Sequence, residues 1–164
     1  MWPIVSNEVH SKAGNEMKVC HLTSVHPRYD TRIFIKECCS LARAGHDVTL
    51  IVADGKGNER KDEIVIVDVR KSRSRLRRIF GATRRIFAAA KGIDADIYHI
   101  HDPELMLAGV ALSRMGKSVI FDAHEDVPLQ LLSKHYLNAS LLRVLALGYR
   151  IFERLCIRYF AAII

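Results

Sequence analysis

The sequence Tyr98-His-Ile-His-Asp-Pro-Glu104 decides the fold, because a short apolar strand pattern passes in it directly into the start of a helix. Pro103 suits the first helical position, where the missing N–H is not needed. The same combination of histidine, acid and proline recurs at Ser24-Val-His-Pro-Arg-Tyr-Asp30 and at Ala123-His-Glu-Asp-Val-Pro128. The chain therefore repeats one kind of strand-to-helix junction three times.

Apolar runs of strand length surround these junctions. We predict strands at 18–24, 47–53, 63–69, 96–101 and 117–123. Residues with helical spacing separate several of them, for example from Thr31 to Ala44, where Gly45 supplies the stop signal. Near-continuous apolar strands that alternate with helices are typical of a parallel sheet covered on both faces. The sequence therefore predicts an α/β fold with a Rossmann-like, doubly wound parallel sheet.

The 164 residues suit a single domain with a substantial core. Residues 1–16 lack strand or helix patterning, so we expect a disordered leader there and one folded domain over residues 17–164. The closing run Phe160–Ile164 resembles the opening of another strand. We therefore expect the domain to be truncated before a second domain.

The composition predicts a cytoplasmic location. Residues 1–16 lack the features of a signal peptide, and arginines interrupt the most apolar segment, 131–164, so no membrane span is expected. No C-x-x-C pair occurs among the cysteines, which we interpret as reduced thiols: Cys20, Cys38, Cys39 and Cys156. The formal net charge of +7 indicates anionic partners.

The three junctions should form one site, because the carboxyl ends of parallel strands meet at one edge of a sheet, where open α/β folds bind ligands. His26, His101 and His124 follow three predicted strands and should converge there. Acids beside them are candidate substrate-binding residues: Asp102, Glu104, Glu125 and Asp126. A structural interpretation stays open, since Asp30, Asp102 and Asp126 also suit helix N-caps and His99 suits a satisfied structural histidine.

A metal site is an alternative use of the same residues. His99 and His101 point to the same side of a strand, and Glu125 or Asp126 could complete a ligand set. We expect no metal, since the H-x-H spacing is common and no other histidine has convincing ligand spacing. A dinucleotide site is not predicted, because Ser-Val-His-Pro stands where G-x-G-x-x-G is needed.

Two predicted helices carry arginine on one face. In the helix over 73–91, five basic residues share a face that we predict to contact an anionic membrane surface: Arg77, Arg78, Arg84, Arg85 and Lys91. In the helix over 141–159, an apolar stripe of Leu145, Phe152, Leu155, Cys156 and Tyr159 opposes four arginines. A solvated surface is the alternative for both helices. Nucleic acid is not expected, because aromatic residues do not alternate with the arginines as a stacking platform requires.

Taken in order, these motifs resemble the N-terminal domain of a GT-B-fold, family 4-like (group 1) glycosyltransferase of bacterial surface-polysaccharide gene sets. The resemblance covers about residues 17–164. It is carried by His26 with Tyr29-Asp-Thr-Arg-Ile-Phe34, Lys36-Glu37, Leu41 through Gly45-His-Asp-Val48, Tyr98-His-Ile-His-Asp-Pro-Glu104 and Phe121-Asp-Ala-His-Glu-Asp126.

The resemblance implies one half of a two-domain enzyme that transfers a sugar from a nucleotide sugar to a polysaccharide or lipid-linked acceptor. The first domain would hold the acceptor, and the second would bind most of the donor. Retention of configuration and independence from metals and other cofactors are implied as well, with the isolated first domain inactive. The enzyme would be cytoplasmic, and contact through the basic helix would make it peripheral on the inner face of the membrane.

The resemblance also assigns roles to individual residues. His124 would be the catalytic histidine that reaches the donor sugar, with Asp102 and Glu104 in the turn beside it. The loop of His26 and Arg28 would lie near the donor phosphates and the acceptor. The glycine-rich first loop of many relatives is absent between Ser24 and Thr31, so phosphate binding by backbone amides is not expected there. Two other functions stay open: half of a non-hydrolysing sugar-nucleotide epimerase, and a non-catalytic binding module.

Overall fold

The computed structural model describes residues 16–71, 81–123, 127–133 and 138–164. Its strands are β1 (Lys18–Leu22), β2 (Asp47–Val52), β3 (Glu59–Lys61), β4 (Ile64–Asp68), β5 (Ile97–Ile100), β6 (Ser118–Phe121) and β7 (Ala162–Ile163). Helix α1 consists of a π-helical segment, Thr31–Cys38, and an α-helical segment, Cys39–Arg43. The other α-helices are α2 (Thr83–Ile93), α3 (Met106–Arg114), α4 (Val127–Leu132) and α5 (Ala139–Cys156). Short 3₁₀ turns, Pro103–Leu105 and Ile157–Tyr159, precede α3 and follow α5.

One sheet joins all seven of these strands in the order β3-β4-β2-β1-β5-β6-β7. Every neighbouring pair is parallel except β3 with β4. With the antiparallel edge strand set aside, the order is that of a Rossmann-like fold, in which the direction of winding reverses between β1 and β5. The α/β, Rossmann-like prediction is confirmed, and the sheet is consistent with one half of a GT-B architecture.

The two faces of the sheet carry separate apolar cores. On one face Cys20 and Leu22 of β1 pack in a cluster with residues of α2, α3 and α5. On the other face α1 packs against β2 and β4 through Ile33, Phe34 and Cys38. Side chains alternate between faces along a strand, so β1 directs His21 away from the first cluster. All four cysteines are buried free thiols.

The predicted strands are all present, and β7 confirms that the closing residues pair as a strand beside β6. The sequence interpretation missed β3, which forms a hairpin with β4 through Asp62 and Glu63. Both turn residues have positive φ, of 51° and 64°. Tight hairpins favour glycine or asparagine at such positions, so this turn lacks its usual sequence signal.

The predicted packing faces of two helices need correction. Leu145 and Leu155 are 46% and 52% exposed, whereas Leu142 and Ala146 of α5 are buried. For α2, helical spacing in the sequence predicts an apolar stripe that omits the buried Ile86 and consists of Leu76, Ile79, Phe80, Thr83, Phe87 and Ala90. Both helices are apolar on several sides, so periodicity could not select the row that packs on the sheet. No helix in the described ranges combines the length and the apolar character that a membrane crossing needs.

Gly109 tests how closely α3 packs on the sheet. A Cβ added there would lie 2.9 Å from both Ile100 Cδ1 and Phe160 Cε1. Gly109→Ala should therefore lower the free energy of unfolding by about 1–3 kcal/mol through overpacking. Gly92→Ala is the control, because its Cβ would meet nothing within 4 Å in α2. Urea unfolding followed by circular dichroism measures both variants, and equal stabilities would contradict the packing described here.

Candidate functional site

The direction of winding reverses between β1 and β5. At that point the carboxylate of Asp102, immediately after β5, bridges the two strand ends. Its Oδ2 accepts hydrogen bonds from Thr23 Oγ1 at 2.8 Å and from the Ser24 amide at 2.6 Å, both in the loop after β1. The Ser24 hydroxyl donates to Glu104 Oε1 at 2.8 Å. The predicted N-cap role of Asp102 is wrong, because its side chain caps no helical N–H and spans the two strand ends instead. Asp30 does cap α1, through the amides of Arg32 and Ile33.

His26 lies at the rim of this junction. Its Nε2 is 3.4 Å from Asp102 Oδ1, and its Nδ1 is 3.7 Å from Asp30 Oδ2. The His26 amide donates to Thr23 Oγ1 at 3.1 Å, which orders the loop. The side chain is 21% exposed. The partly exposed imidazole of His26 therefore lies beside the carboxylates of Asp102 and Asp30, and Ser24 links Asp102 to Glu104.

Arg28 faces a different part of the loop. Its guanidinium donates to both oxygens of Asp54, at 2.8 and 2.7 Å, to Glu59 Oε2 at 2.9 Å and to the Gly57 carbonyl at 2.9 Å. These hydrogen bonds raise the pKa of Arg28, with Asp54 the largest cause, and lower the pKa of Asp54. Because two carboxylates and a carbonyl of the neighbouring loop accept hydrogen bonds from this side chain, Arg28 braces that loop. The phosphate contact that the resemblance implies for Arg28 stays a prediction.

A buried polar cluster lies beneath the junction. His21 of β1 is in register with His99 of β5, and His101 follows two residues later on the same face. Glu37 of α1 approaches all three rings, with Oε2 3.5–3.6 Å from His21 Nδ1, His99 Nδ1 and His101 Nε2. His21 and His101 are fully buried, and His99 is nearly so. His101 therefore lies below the surface formed by Asp102 and Glu104.

The charges of this cluster are suppressed by burial. Desolvation lowers the pKa of His21 well below its ordinary value and that of His99 to about 4. Desolvation, followed by the nearby charge of Asp122, raises the pKa of Glu37 to about 7. His21 and His99 are therefore neutral near pH 7. Asp122, after β6, lies 3.2 Å from His101 Nδ1 through Oδ2 and forms an ion pair with Arg32.

Several predicted residues lie outside the described residues: His124, Glu125 and Asp126 of the third junction, and Arg77 and Arg78 of the basic face. The rest of that face, Arg84, Arg85 and Lys91, is exposed on α2. Arg85 is also anchored, because its Nε donates to the Val69 carbonyl at 2.7 Å. A cavity of about 270 Å³ beside Arg84 extends to Glu104 and is lined mainly by Phe87, Leu107 and Ala108.

The sequence interpretation missed Thr23, His21 and Glu37. The sequence of one strand does not indicate which residues a neighbouring strand will place beside it. The pairing of His21 with His99 could therefore be predicted only if the order of the strands in the sheet were known. One signal was available, since a histidine inside the apolar run Lys18–Leu22 has to be satisfied or used when that strand is buried. The interpretation of His99 as a satisfied structural histidine is also wrong, because its Nε2 has no hydrogen-bond partner within the described ranges.

Comparison with known families gives one match. The family model described as Glycosyltransferase Family 4 matches residues 34–164, which include both β5 and β6 and most of the site residues. Among curated proteins, none matches this sequence significantly.

The bracing role of Arg28 is tested by Arg28→Ala. Loss of hydrogen bonds to two carboxylates should lower the free energy of unfolding by about 1–3 kcal/mol. Arg60→Ala is the matched control, because Arg60 pairs with Glu63 at the surface and both side chains are mostly exposed. That change should cost less than about 0.5 kcal/mol. Thermal unfolding compares them, and a stability loss no larger than the control's would contradict the role.

The same brace gives a pH dependence. The pKa of Asp54 is lower in the folded chain, so its contribution is present above the ordinary carboxyl pKa of about 3.9 and is lost as the pH falls through the folded value. The stability difference between the natural chain and Arg28→Ala should therefore narrow in acid. Melting temperatures measured between pH 7 and pH 3 check this, and a constant difference would contradict it.

Proposed function

The chain belongs to glycosyltransferase family 4, and from that premise we propose that it forms the acceptor-side wall of an enzyme for bacterial surface-glycan synthesis. The reaction is transfer of a sugar from a nucleotide sugar to a polysaccharide or lipid-linked acceptor. A donor-binding domain faces this wall and completes the cleft, so the chain alone is inactive. Family membership supports transfer over an epimerase or a non-catalytic module.

The observation that carries the proposal is the polar junction at the point where the winding reverses. Open α/β sheets bind ligands in the crevice outside the carboxyl ends of the strands at such a point. Here His26 and Glu104 lie partly exposed above the carboxylate of Asp102, which is held by its hydrogen bonds. An imidazole and a carboxylate accept hydrogen bonds from sugar hydroxyls, which suits the binding of an acceptor or of the transferred sugar.

Catalysis in this proposal depends on position and electrostatics. Asp102 holds the loop after β1 in one geometry, so groups on that loop meet the substrate without reorganisation. Stabilisation of the leaving diphosphate comes mainly from the donor-binding domain. We propose that the transfer retains configuration and requires no metal at the diphosphate, as the resemblance implies.

His124 is the proposed catalytic residue on this wall. Its place in the sequence supports the role, because β6 ends at the same edge of the sheet as Asp102 and His124 follows the last residue of β6 by three positions. We propose that its ring contacts the donor sugar across the cleft.

The test is His124→Ala in the enzyme assembled with its donor-binding domain. Removal of one positioned hydrogen-bonding group should lower turnover by about 100-fold or more. The melting temperature should stay close to that of the natural enzyme. His46→Ala is the control, because His46 lies at the opposite, amino edge of the sheet, before β2. Turnover within a few-fold of the natural enzyme would reject the role of His124.

We also propose a cytoplasmic enzyme whose basic face, Arg77, Arg78, Arg84, Arg85 and Lys91, contacts an anionic membrane. The exposure of its described members on α2 supports the proposal. Each basic side chain near an anionic leaflet contributes about 1 kcal/mol. Such attachment would hold the enzyme where a lipid-linked acceptor is confined.

Vesicle co-sedimentation tests this contact. The chain should bind anionic vesicles and not neutral ones, and about 1 M salt should release it, because the screening length is then about 3 Å. Replacement of Arg77, Arg78, Arg84 and Arg85 by glutamine should remove most of the binding. The control replaces the four exposed arginines of the C-terminal segment, Arg143, Arg150, Arg154 and Arg158. Equal loss in both quadruple variants would show that only total charge matters.

A further inference from the structure

Three buried imidazoles share one face of the sheet at the point where the winding reverses. The parallel register sets His21 beside His99, and the strand period returns His101 to the same face. Their rings are close together, with centroids 4.3–5.3 Å apart. Buried histidines are ordinarily hydrogen-bonded. In His21 and His99 the Nδ1 atom faces Glu37, whereas the Nε2 atom on the other side of the ring has no hydrogen-bond partner among the residues that the structure describes.

Glu37 supplies a carboxylate to the same space. It lies in the π-helical segment of α1, where Cys39 donates to the Phe34 carbonyl five residues back. Such wide turns are rare in proteins as a whole, but those that occur often lie at functional sites. Glu37 Oε2 is buried and makes no hydrogen bond within the described ranges, although three ring nitrogens surround it. The cost of burying a carboxylate oxygen among imidazoles is relieved when the carboxyl group is protonated or when a cation lies among the rings.

The separations match those of metal ligands. One atom from each of His21, Glu37, His99 and His101 lies within 4.8 Å of every other. Glu37 Oε2 is 3.5–3.6 Å from the three nitrogens. His21 Nδ1 and His101 Nε2 are 3.0 Å apart in a hydrogen bond whose shared proton a metal ion would replace. Tetrahedral zinc with bonds of about 2.0–2.1 Å to nitrogen and oxygen has ligands about 3.3–3.4 Å apart.

One of the three histidines, His101, has the outer contact that a metal-binding histidine usually has. His101 directs Nε2 into the cluster and Nδ1 toward Asp122 Oδ2, 3.2 Å away. A carboxylate at the second ring nitrogen fixes the tautomer and orients the ring in metal sites. Asp122 is itself paired with Arg32 of α1.

We infer that His21, Glu37, His99 and His101 bind one zinc ion in a closed, four-ligand site. The proposal departs from the sequence-based expectation of no metal, and from the ligands weighed there, because His21 and Glu37 replace Glu125 and Asp126. It is independent of the proposed reaction.

The ion would act as a structural clamp. It would tie α1 to β1 and β5 directly beneath Asp102, and so fix the floor of the proposed cleft. A closed set of protein ligands leaves no position for a substrate, as in structural zinc sites. The site therefore remains compatible with transfer that needs no metal at the diphosphate.

Metal binding to the chelator-treated chain is the test. Zinc should bind with one ion per chain, measured by competition with a coloured chelator and by elemental analysis after gel filtration. It should also raise the melting temperature, because a ligand that binds only the folded state stabilises it. Cobalt(II), as a spectroscopic substitute, should give the intense visible absorption of tetrahedral coordination and no thiolate charge-transfer band.

Glu37→Gln and His99→Gln should each weaken zinc binding at least 100-fold and remove the cobalt absorption. His46→Gln, a change outside the cluster, should leave both unchanged. Circular dichroism of the metal-free chains shows whether each variant is folded. If a variant is not folded, the test of the site is zinc binding by the natural chain. Absence of stoichiometric binding by the natural chain would overturn the site. Unchanged zinc binding in both variants would also overturn the site. A thiolate charge-transfer band in the cobalt(II) spectrum would overturn it as well, because it would assign the metal to cysteine.

Discussion

The hydrogen bonds that Asp102 accepts from Thr23 and Ser24 are the constraint on which the rest of the site depends. A doubly wound sheet separates the connections of β1 and β5 to opposite faces, which opens a crevice at their carboxyl ends. Without a bridge, the loop after β1 would have no fixed relation to the turn after β5. One buried carboxylate supplies that bridge, and His26 and Glu104 are positioned by the same hydrogen-bond network.

Two layers of polar groups follow from this arrangement. The outer layer, His26 with Asp102 and Glu104, lies at the edge where substrates of α/β enzymes bind. The inner layer consists of the three buried histidines and the partly exposed Glu37, between the sheet and α1. A clamp in the inner layer would limit the motion of β1 and β5 relative to α1, and so preserve the geometry of the outer layer. The outer layer would thus contact substrates, and the inner layer would support the outer one.

Much of this arrangement could be predicted from the sequence, because strand ends and junction motifs are local features. The pattern around Tyr98–Glu104 placed Asp102 and Glu104 at the correct edge and predicted their approach to His26. Side-chain partners were harder to predict. Asp102 looked like a helix cap because caps are local, whereas its real partners lie 78 and 79 residues away in the sequence. The partners of Arg28 and Glu37 were missed for the same reason, since they come from distant loops and strands.

Hydrogen–deuterium exchange of the enzyme assembled with its donor-binding domain tests the central claim, that the β1–β5 junction is the substrate-facing wall. Exchange would be compared with and without nucleotide sugar and acceptor. The account predicts slower exchange in two peptides, one over residues 22–28 and one over residues 101–106. Unchanged exchange in both, with protection instead at the amino-edge turns around Gly45 and Gly116, would contradict it.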